Sequence, residues 1–416
     1  MSAAAARCNW RWPALTAGAV LLAFAALLLD ERLWSALGVL PLQPHFSDWL
    51  AILAAADAQQ AGADVYATPN PFDPFGRPHV YGPWWLWLGK LGFTVAGHRW
   101  MGALLAGVFI ATAATVLAPR TWRQAALAVA LLLSPPVLLG LERANNDLVV
   151  FLLLAATAWL VARFPRQGVW AATGMVWLAA ALKIYPAAAL SALPSAARQR
   201  GPALLALAGG VAACALVAWW YQADYARVLA LAPREISVFT YGFKVLAHLV
   251  QNIHAINWPL VLGLGAGLAL GGIALVPRWR ALGTAVPLHG GTAFAFVAGA
   301  SCWVFCYFVN SNFSYRAVLL LLPARLFLHQ LSDPGHAPVA RRWLALTLLL
   351  LWTACATAHL GEWVEHGRAA LQPLWLVVIG FEQALTLMVT VALLLALIGW
   401  ALRLNQSRRS ATTGNA

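Results

Sequence analysis

Charged residues are scarce in this chain. Only 10% of its 416 residues are Asp, Glu, Lys or Arg, whereas 62% are hydrophobic, and the mean hydropathy is +0.73. An average soluble domain carries about 25% charged residues. The composition therefore excludes an ordinary soluble globular protein and favours one that keeps most of its residues in a membrane.

Cysteine is also rare, and its spacing matches neither a disulfide framework nor a zinc site. Of the five Cys residues, Cys302 and Cys306 share a helix face, but they lie in an apolar run. We therefore expect them to be small core residues. The chain has no Gly-rich phosphate-binding loop, no metal-ligand spacing and no long inner loop that could form a cytosolic nucleotide-sugar domain. We expect no metal and no cofactor.

Long apolar runs, by contrast, recur along the whole chain. Many approach the length of roughly 17–25 residues that a membrane helix needs. We predict an all-α, polytopic transmembrane helical bundle of about 10–12 membrane helices, formed as a single domain by residues 1–416. The predicted spans are 14–29, 97–118, 124–141, 147–163, 202–221, 258–276, 288–309, 316–331, 343–358 and 373–402.

Pairs of arginines separate these runs. The net charge of +13 could suggest nucleic acid, but small basic clusters between spans are typical of cytoplasmic loops. The pairs are Arg120/Arg123, Arg163/Arg166, Arg198/Arg200, Arg278/Arg280, Arg341/Arg342 and Arg408/Arg409. With all of them inside, the tail 403–416 is cytoplasmic and Asp333 is the sole inner acidic residue. We expect contact with membrane lipids and none with nucleic acid.

Residues 168–197 lie between two of these basic loops, so a single crossing there would place one loop on the wrong side. Pro186 follows Lys183-Ile184-Tyr185 and disfavours helical geometry at Tyr185. We predict two short helices that rise and return, with Lys183 and Tyr185 at the outer tip. Lys183 is then a functional candidate, although snorkelling to the interface would also explain it.

The first outer loop, residues 30–96, concentrates the acidic residues: six of the chain's 14 fall between Asp30 and Tyr81. Asp48 is the leading candidate, because a partly buried carboxylate near an alcohol can accept its proton. His45 precedes Asp48 by three residues and shares its face if the segment is helical. The alternative is that Ser47 or Asp48 caps a helix.

Three further outer segments carry candidate side chains. Arg143 and Asp147 flank an Asn-containing turn, where Arg143 either binds a phosphate, orients Asp48, or merely forms a salt bridge. Arg316 opens a span and is either a phosphate ligand or an interfacial anchor. The outer interfacial segment 222–257 resembles a surface helix around Lys244 and His248, which share one face.

The order of these signals resembles the GT-C superfamily of integral membrane glycosyltransferases. More narrowly, it resembles the polyprenol-phosphate-dependent mannosyltransferases of glycosyltransferase family 87. The matching motifs cover about residues 45–320: Ser47-Asp48, Gly62-Ala63-Asp64-Val65-Tyr66, Tyr81-Gly82-Pro83, Asn145-Asn146-Asp147, Lys183-Ile184-Tyr185-Pro186, Tyr241-Gly242-Phe243-Lys244 and Tyr315-Arg316.

The resemblance implies an inverting transfer of a sugar, expected to be mannose, from a polyprenyl-phosphate donor to a lipid or glycan acceptor. The site would face the outside of a bacterial cytoplasmic membrane, and such donors are typically used without a required metal. Asp48 would match the general base. The implied phosphate-binding residues are Arg143, Lys183, Lys244 and Arg316, and the supporting residues are His45, Tyr81, Asp147, Tyr185 and His248.

Two other classes of protein stay open. A transporter or lipid flippase should show broken helices in two related halves, and the Lys183 hairpin has no counterpart elsewhere in the sequence. A non-catalytic subunit of an envelope-assembly complex would have no such requirement, and nothing in the sequence excludes it.

Overall fold

The computed structural model describes residues 10–232, 240–251, 257–275, 279–309 and 311–413. The predicted all-α class is confirmed, since the chain is 79% helical and these ranges contain nineteen α-helices. The strands within them form one small antiparallel sheet, in which β1 (Thr240–Tyr241) pairs with β2 (Asn312–Phe313).

Most of the helices follow one another through short connections, but a longer segment, residues 61–86, separates the third helix from the fourth. The first nine are α1 (Arg11–Leu29), α2 (Glu31–Ala36), α3 (Ser47–Gln60), α4 (Trp87–Lys90), α5 (His98–Leu117), α6 (Trp122–Leu132), α7 (Pro135–Arg143), α8 (Asp147–Arg163) and α9 (Gly168–Leu182). The others are α10 (Leu193–Ala196), α11 (Arg200–Trp220), α12 (Gln222–Leu231), α13 (Phe243–Gln251), α14 (Trp258–Leu275), α15 (Trp279–Ala285), α16 (Gly291–Val309), α17 (Leu321–Gln330), α18 (Ala337–Glu365) and α19 (Gln372–Thr413). Short 3-10 helices cover Pro83–Leu86, Val95–Gly97, Tyr185–Ala192, Ser314–Leu320 and Ala369–Leu371.

Seven helices in the described ranges are long and apolar enough to cross a membrane. They are Arg11–Leu29, Val95–Leu117, Arg200–Trp220, Trp258–Leu275, Gly291–Val309, Ala337–Glu365 and Ala369–Arg408. The α6–α7 pair, bent by 58°, makes an eighth if it counts as one span. The predicted span at α8 has only 17 residues, short of the roughly 20 that a full crossing needs, and α9, the first arm of the predicted hairpin, has 15. The exact number of spans therefore stays a prediction.

Small residues allow α14 and α19 to pack closely against each other. Gly263, Gly267 and Gly271 lie at helical spacing along α14 and face α19. A Cβ at Gly263 would overlap the carbonyl oxygen of Val377, so a larger residue would push the two helices apart. The glycine-rich run therefore serves close packing, as membrane helices often require.

The broken hairpin around Lys183 is present. Helix α9 ends at Leu182, Lys183 is extended (φ −155°, ψ 130°), and a 3-10 helix begins at Tyr185. Leu190 on the second arm and Thr173 on the first both lie beside Gly210 of α11. The second arm therefore returns alongside the first, which leaves Lys183 at the tip.

The bundle has two chemically different ends. The end where α5 begins carries the first outer loop, and we call it the loop end; there Phe46 packs against Gly102 of α5. The end where α5 finishes carries arginine side chains, and we call it the basic end; there Arg325 donates to the carbonyl of Val116 of α5 at 2.9 Å. Predictions concerning Arg278, Asn310 and residues 233–239 and 252–256 lie outside the described residues.

Candidate active site

Two residues in the left-handed backbone region bring the polar groups of the loop end together. Phe46 has φ 63° and Ala144 has φ 42°, values that side chains with a Cβ rarely adopt. The Phe46 N–H donates to the carbonyl of Glu142 at 2.7 Å and so ties the two turns to each other. Asp48 lies beside Asn145 as a result. Strained backbone of this kind concentrates at functional sites.

Asp48 is held in a fixed orientation in the first turn of α3, where the residue is 8% exposed. Asn145 Nδ2 donates to Oδ2 at 2.6 Å, and Arg77 Nη1 lies 3.5 Å from Oδ1. Neither Ser47 nor Asp48 caps the helix, because the capping position is Phe46, which makes no side-chain cap bond. The capping alternative is therefore wrong, and the carboxylate is directed at other segments of the chain.

The expectation that His45 and Asp48 share a helix face is also wrong, because the helix begins only at Ser47. His45 Nδ1 instead lies 3.2 Å from Glu142 Oε1, which also accepts the Leu42 N–H at 2.9 Å. Glu142 is fully buried. These contacts anchor the loop that leads into α3, so His45 and Glu142 help to position Asp48 without touching it.

Arg77 is a member of the site that the sequence analysis missed. Its Nη2 donates to the carbonyl of Ser47 at 2.6 Å, and its Nε donates to Asp73 Oδ2 at 2.7 Å. Burial opposes its charge, but the carboxylates of Asp73 and Asp48 outweigh burial and raise the pKa of the guanidinium. An Asp four residues before an Arg was a weak signal for this pair.

Asp147 gathers a second group of charges and is only 1% exposed. Its Oδ1 accepts hydrogen bonds from Lys183 Nζ at 2.6 Å and from the Tyr185 hydroxyl at 2.7 Å. Its Oδ2 lies 3.6 Å from Arg316 Nε. Lys183 also donates to Asn146 Oδ1 at 2.6 Å, so it points into the protein and does not snorkel. Four candidate residues from three separate outer segments thus form one cluster.

Aromatic rings surround the ammonium group of Lys183. Its Nζ lies 5.6, 5.7 and 5.9 Å from the ring centres of Tyr81, Tyr185 and Tyr315. Rings at these distances attract a cation through their faces. Burial and the Asp48 carboxylate raise the pKa of Tyr81 well above its usual value, so its hydroxyl stays protonated at neutral pH.

Arg143 lies at the other side of the turn that contains Asn145. Its Nε is 2.9 Å from Glu142 Oε2, so the salt bridge considered from the sequence is present. The same side chain is 21% exposed and lines the cavity described next. The salt bridge and a role in binding a ligand are therefore compatible.

A cavity of about 430 Å³ joins these groups. Among the described residues, the carboxylate that lines it is Asp48 and the cations are Arg77, Arg143, Lys183 and Arg316. Another part of its wall is apolar and includes Phe305 and Val309, which are 38% and 55% exposed on α16. Since α16 is a candidate membrane span, the cavity borders a surface suited to lipid.

Two predicted residues lie elsewhere. Lys244 and His248 are exposed on α13 and are not among the described residues that line the cavity. The strand before α13, β1, contributes to the cavity indirectly. It pairs with β2, which directly precedes the segment that carries Tyr315 and Arg316. A role for Lys244 in holding a donor phosphate stays a prediction.

The described residues contain no group of three or more His, Cys, Asp or Glu side chains placed to hold a metal ion. No protein-family model matches the chain, and neither does any curated protein or solved structure. The geometry and charge of the cavity are therefore the basis for assigning a function.

Proposed function

We propose that this protein is an integral membrane glycosyltransferase that moves a sugar, mannose in the first instance, from a polyprenyl-phosphate donor to a hydroxyl of a lipid or glycan. One observation carries the proposal: segments far apart in the sequence place one carboxylate and four cations around a single cavity beside an exposed apolar surface of a candidate membrane span. A carboxylate suits the removal of a proton from a hydroxyl, and guanidinium and ammonium groups suit a phosphate.

Asp48 is the general base of the proposed reaction. The acceptor oxygen bonds to the anomeric carbon while its proton passes to Asp48, and the bond between the anomeric carbon and the phosphate oxygen breaks. Attack from the face opposite the phosphate inverts the anomeric configuration. Asn145 and Arg77 hold the carboxylate in one orientation, which general-base catalysis requires.

The cations stabilise the leaving group. The electron pair of the broken bond stays on the phosphate, which departs as polyprenyl phosphate with one more negative charge. Arg143, Lys183 and Arg316 line the cavity from three different segments and meet this charge as it develops. Their carboxylate partners, Glu142 and Asp147, hold them in place before the substrate arrives.

The location of the site follows from the charge at the opposite end of the bundle. Arginine pairs favour the cytoplasmic side of a membrane, so the loop end and its cavity are assigned to the outer side of a bacterial cytoplasmic membrane. The polyprenyl chain of the donor lies in the lipid along Phe305 and Val309. The acceptor reaches the cavity from the loop side, where α3 begins.

Transfer of labelled sugar by the purified protein tests the proposal. Wild type, Asp48→Asn and Asp57→Asn are each given polyprenyl-phosphate mannose or glucose together with membrane lipids. Loss of a general base slows transfer by about 100- to 10,000-fold, so Asp48→Asn should be nearly inactive. Asp57→Asn removes the same charge from the same helix, but Asp57 accepts the Val95 N–H away from the cavity, so its activity should persist.

Two results would count against the proposal. Equal transfer by wild type and Asp48→Asn would exclude Asp48 as the base. No transfer by folded wild-type protein with any donor of this class would exclude the glycosyltransferase and favour a transporter or an assembly subunit.

A further inference from the structure

A second cavity lies at the basic end of the bundle. We call it the basic-end groove, and its volume is about 540 Å³. The second arm of the hairpin, which follows Lys183, contributes Ser191 and Pro194 to it, and the last helix contributes most of one side. None of its lining residues was singled out as a site from the sequence, and none lines the loop-end cavity.

The walls of the groove are surfaces suited to an acyl chain. Three candidate membrane spans supply them, through Leu207 on α11, Val297 on α16 and Leu397 on α19. The hydroxyls of Ser191 and Ser301 lie 2.7 Å apart and hydrogen-bond to each other. Paired hydroxyls can border an apolar ligand at little free-energy cost, because neither needs a further partner.

The mouth of the groove is basic. Arg200 and Arg408 both line it, and among its described lining residues no side chain carries a negative charge. Arg408 Nη2 donates to the carbonyls of Pro194 at 3.0 Å and Ala197 at 3.2 Å, which fixes the direction of its guanidinium. Arg200 opens the 21-residue helix α11, whose N-terminal dipole also favours an anion.

We propose that the basic-end groove binds one anionic phospholipid, with its phosphate between Arg200 and Arg408 and an acyl chain along Leu207, Val297 and Leu397. The positive mouth complements a phosphate, and the apolar walls belong to helices that face lipid. A phospholipid satisfies both parts at once. This site does not depend on the proposed glycosyltransferase activity.

A bound lipid would also support the loop-end cavity. Ser191 and Pro194 border the groove, while Lys183 and Tyr185 at the other end of the same hairpin line the cavity that holds the candidate active site. A ligand that binds only the folded protein stabilises it, by an amount that rises with the logarithm of the ligand concentration once that concentration exceeds Kd. We therefore expect the phospholipid to raise the melting temperature of the whole bundle.

Native mass spectrometry of the full-length protein tests this site. Phosphatidylglycerol and phosphatidylcholine are titrated separately onto wild type, Arg200→Gln, Arg408→Gln and Arg341→Gln. We expect one phosphatidylglycerol to bind wild type in preference to phosphatidylcholine. Loss of one charge-assisted contact should weaken that binding about tenfold in the first two variants. Arg341→Gln should match wild type, because Arg341 is exposed and does not line the groove.

Leu207→Trp provides a variant that keeps both arginines and their bonds. Its larger ring fills the groove, so it should lower phosphatidylglycerol binding and abolish the lipid-induced rise in melting temperature. The proposal is overturned if Leu207→Trp binds the lipid as wild type does, since attraction would then come from surface charge alone. Equal binding by wild type, Arg200→Gln and Arg408→Gln would also overturn it.

Discussion

Arginine has different partners at the two ends of this bundle. At the loop end the side chains meet carboxylates around a cavity; these are Arg77, Arg143 and Arg316. At the basic end they donate to backbone carbonyls; these are Arg325, Arg403 and Arg408. Many of those carbonyls, such as that of Val116, lie at or near the last turn of a helix, where no backbone donor remains to satisfy them.

The difference shows how one residue type serves two purposes. A carboxylate partner beside a cavity can share its cation with an incoming phosphate, because both are anions. An arginine that bonds a backbone carbonyl cannot turn to a phosphate in this way, because the carbonyl at the helix end would lose its hydrogen-bond donor. In the proposed function the loop-end arginines bind the substrate. The basic-end arginines stabilise the fold, and Arg408 also contributes to the proposed lipid groove.

The largest effect is expected from Asp147→Asn. The change leaves Lys183 and Arg316 buried without their carboxylate, which should lower the free energy of unfolding by about 3–5 kcal/mol. Denaturant unfolding of the purified protein measures it. Asp333→Asn is the basic-end control: its pair with His336 is exposed to solvent, so its loss should change stability very little. Similar losses in both variants would remove the distinction between the ends.

A pH effect of somewhat smaller size is expected at the loop end. His79 is 2% exposed, and burial lowers its pKa to about 4. The unfolded chain therefore binds a proton between pH 6.5 and 4 that the folded protein does not bind. The stability that the neutral His79 contributes should be complete near pH 7.5 and fall by roughly 2–3 kcal/mol between pH 7.5 and 4.5. The free energy of unfolding of wild type and His79→Gln is measured at both pH values. An equal fall in the two proteins would show that His79 is not the cause of the pH dependence.

A matched pair of conservative changes separates binding from folding. Arg143→Lys keeps a positive charge beside Glu142 but loses the planar geometry that suits a phosphate. We expect its KM for the donor to rise about tenfold with little change in melting temperature. Arg325→Lys should instead lower stability by about 1 kcal/mol and leave KM unchanged, since Arg325 bonds the Val116 carbonyl. The reverse pattern would refute the assignment of the two ends.

The smallest effect concerns backbone strain. Ala144 at the loop end and Ala118 at the basic end both have left-handed φ values, 42° and 44°. Glycine accepts this geometry, so Ala144→Gly and Ala118→Gly should each raise stability by up to about 1 kcal/mol. Ala113→Gly, within helix α5, should lower it by about 1 kcal/mol. We expect only Ala144→Gly to reduce kcat, because it loosens the turn that holds Asn145.

Local signals in the sequence were enough to predict parts of this structure. Pro186 breaks the segment after Lys183, and the hairpin and its tip follow directly from that break. The apolar runs predicted the helical bundle for a similar reason, since each run carries its own periodicity and length. The number of membrane helices was harder to predict, because α8 and α9 are too short for length alone to assign them.

The arrangement of the site could not be predicted in the same way. Lys183 reaches Asp147 across 36 residues of sequence, and Asn145 reaches Asp48 across 97. Such partners depend on how the helices pack, which one sequence does not reveal. The error at His45 has a simpler cause: the helix begins two residues after His45, and helix boundaries are the least certain feature of a sequence pattern.

The most direct test of the central claim is single-turnover transfer of labelled sugar from saturating polyprenyl-phosphate donor, with wild type and Asp48→Asn compared. Donor affinity is measured on the same samples. The proposed mechanism predicts that Asp48→Asn binds the donor as wild type does but transfers the sugar at least about 100-fold more slowly. Transfer at the wild-type rate by Asp48→Asn, with donor bound, would contradict it.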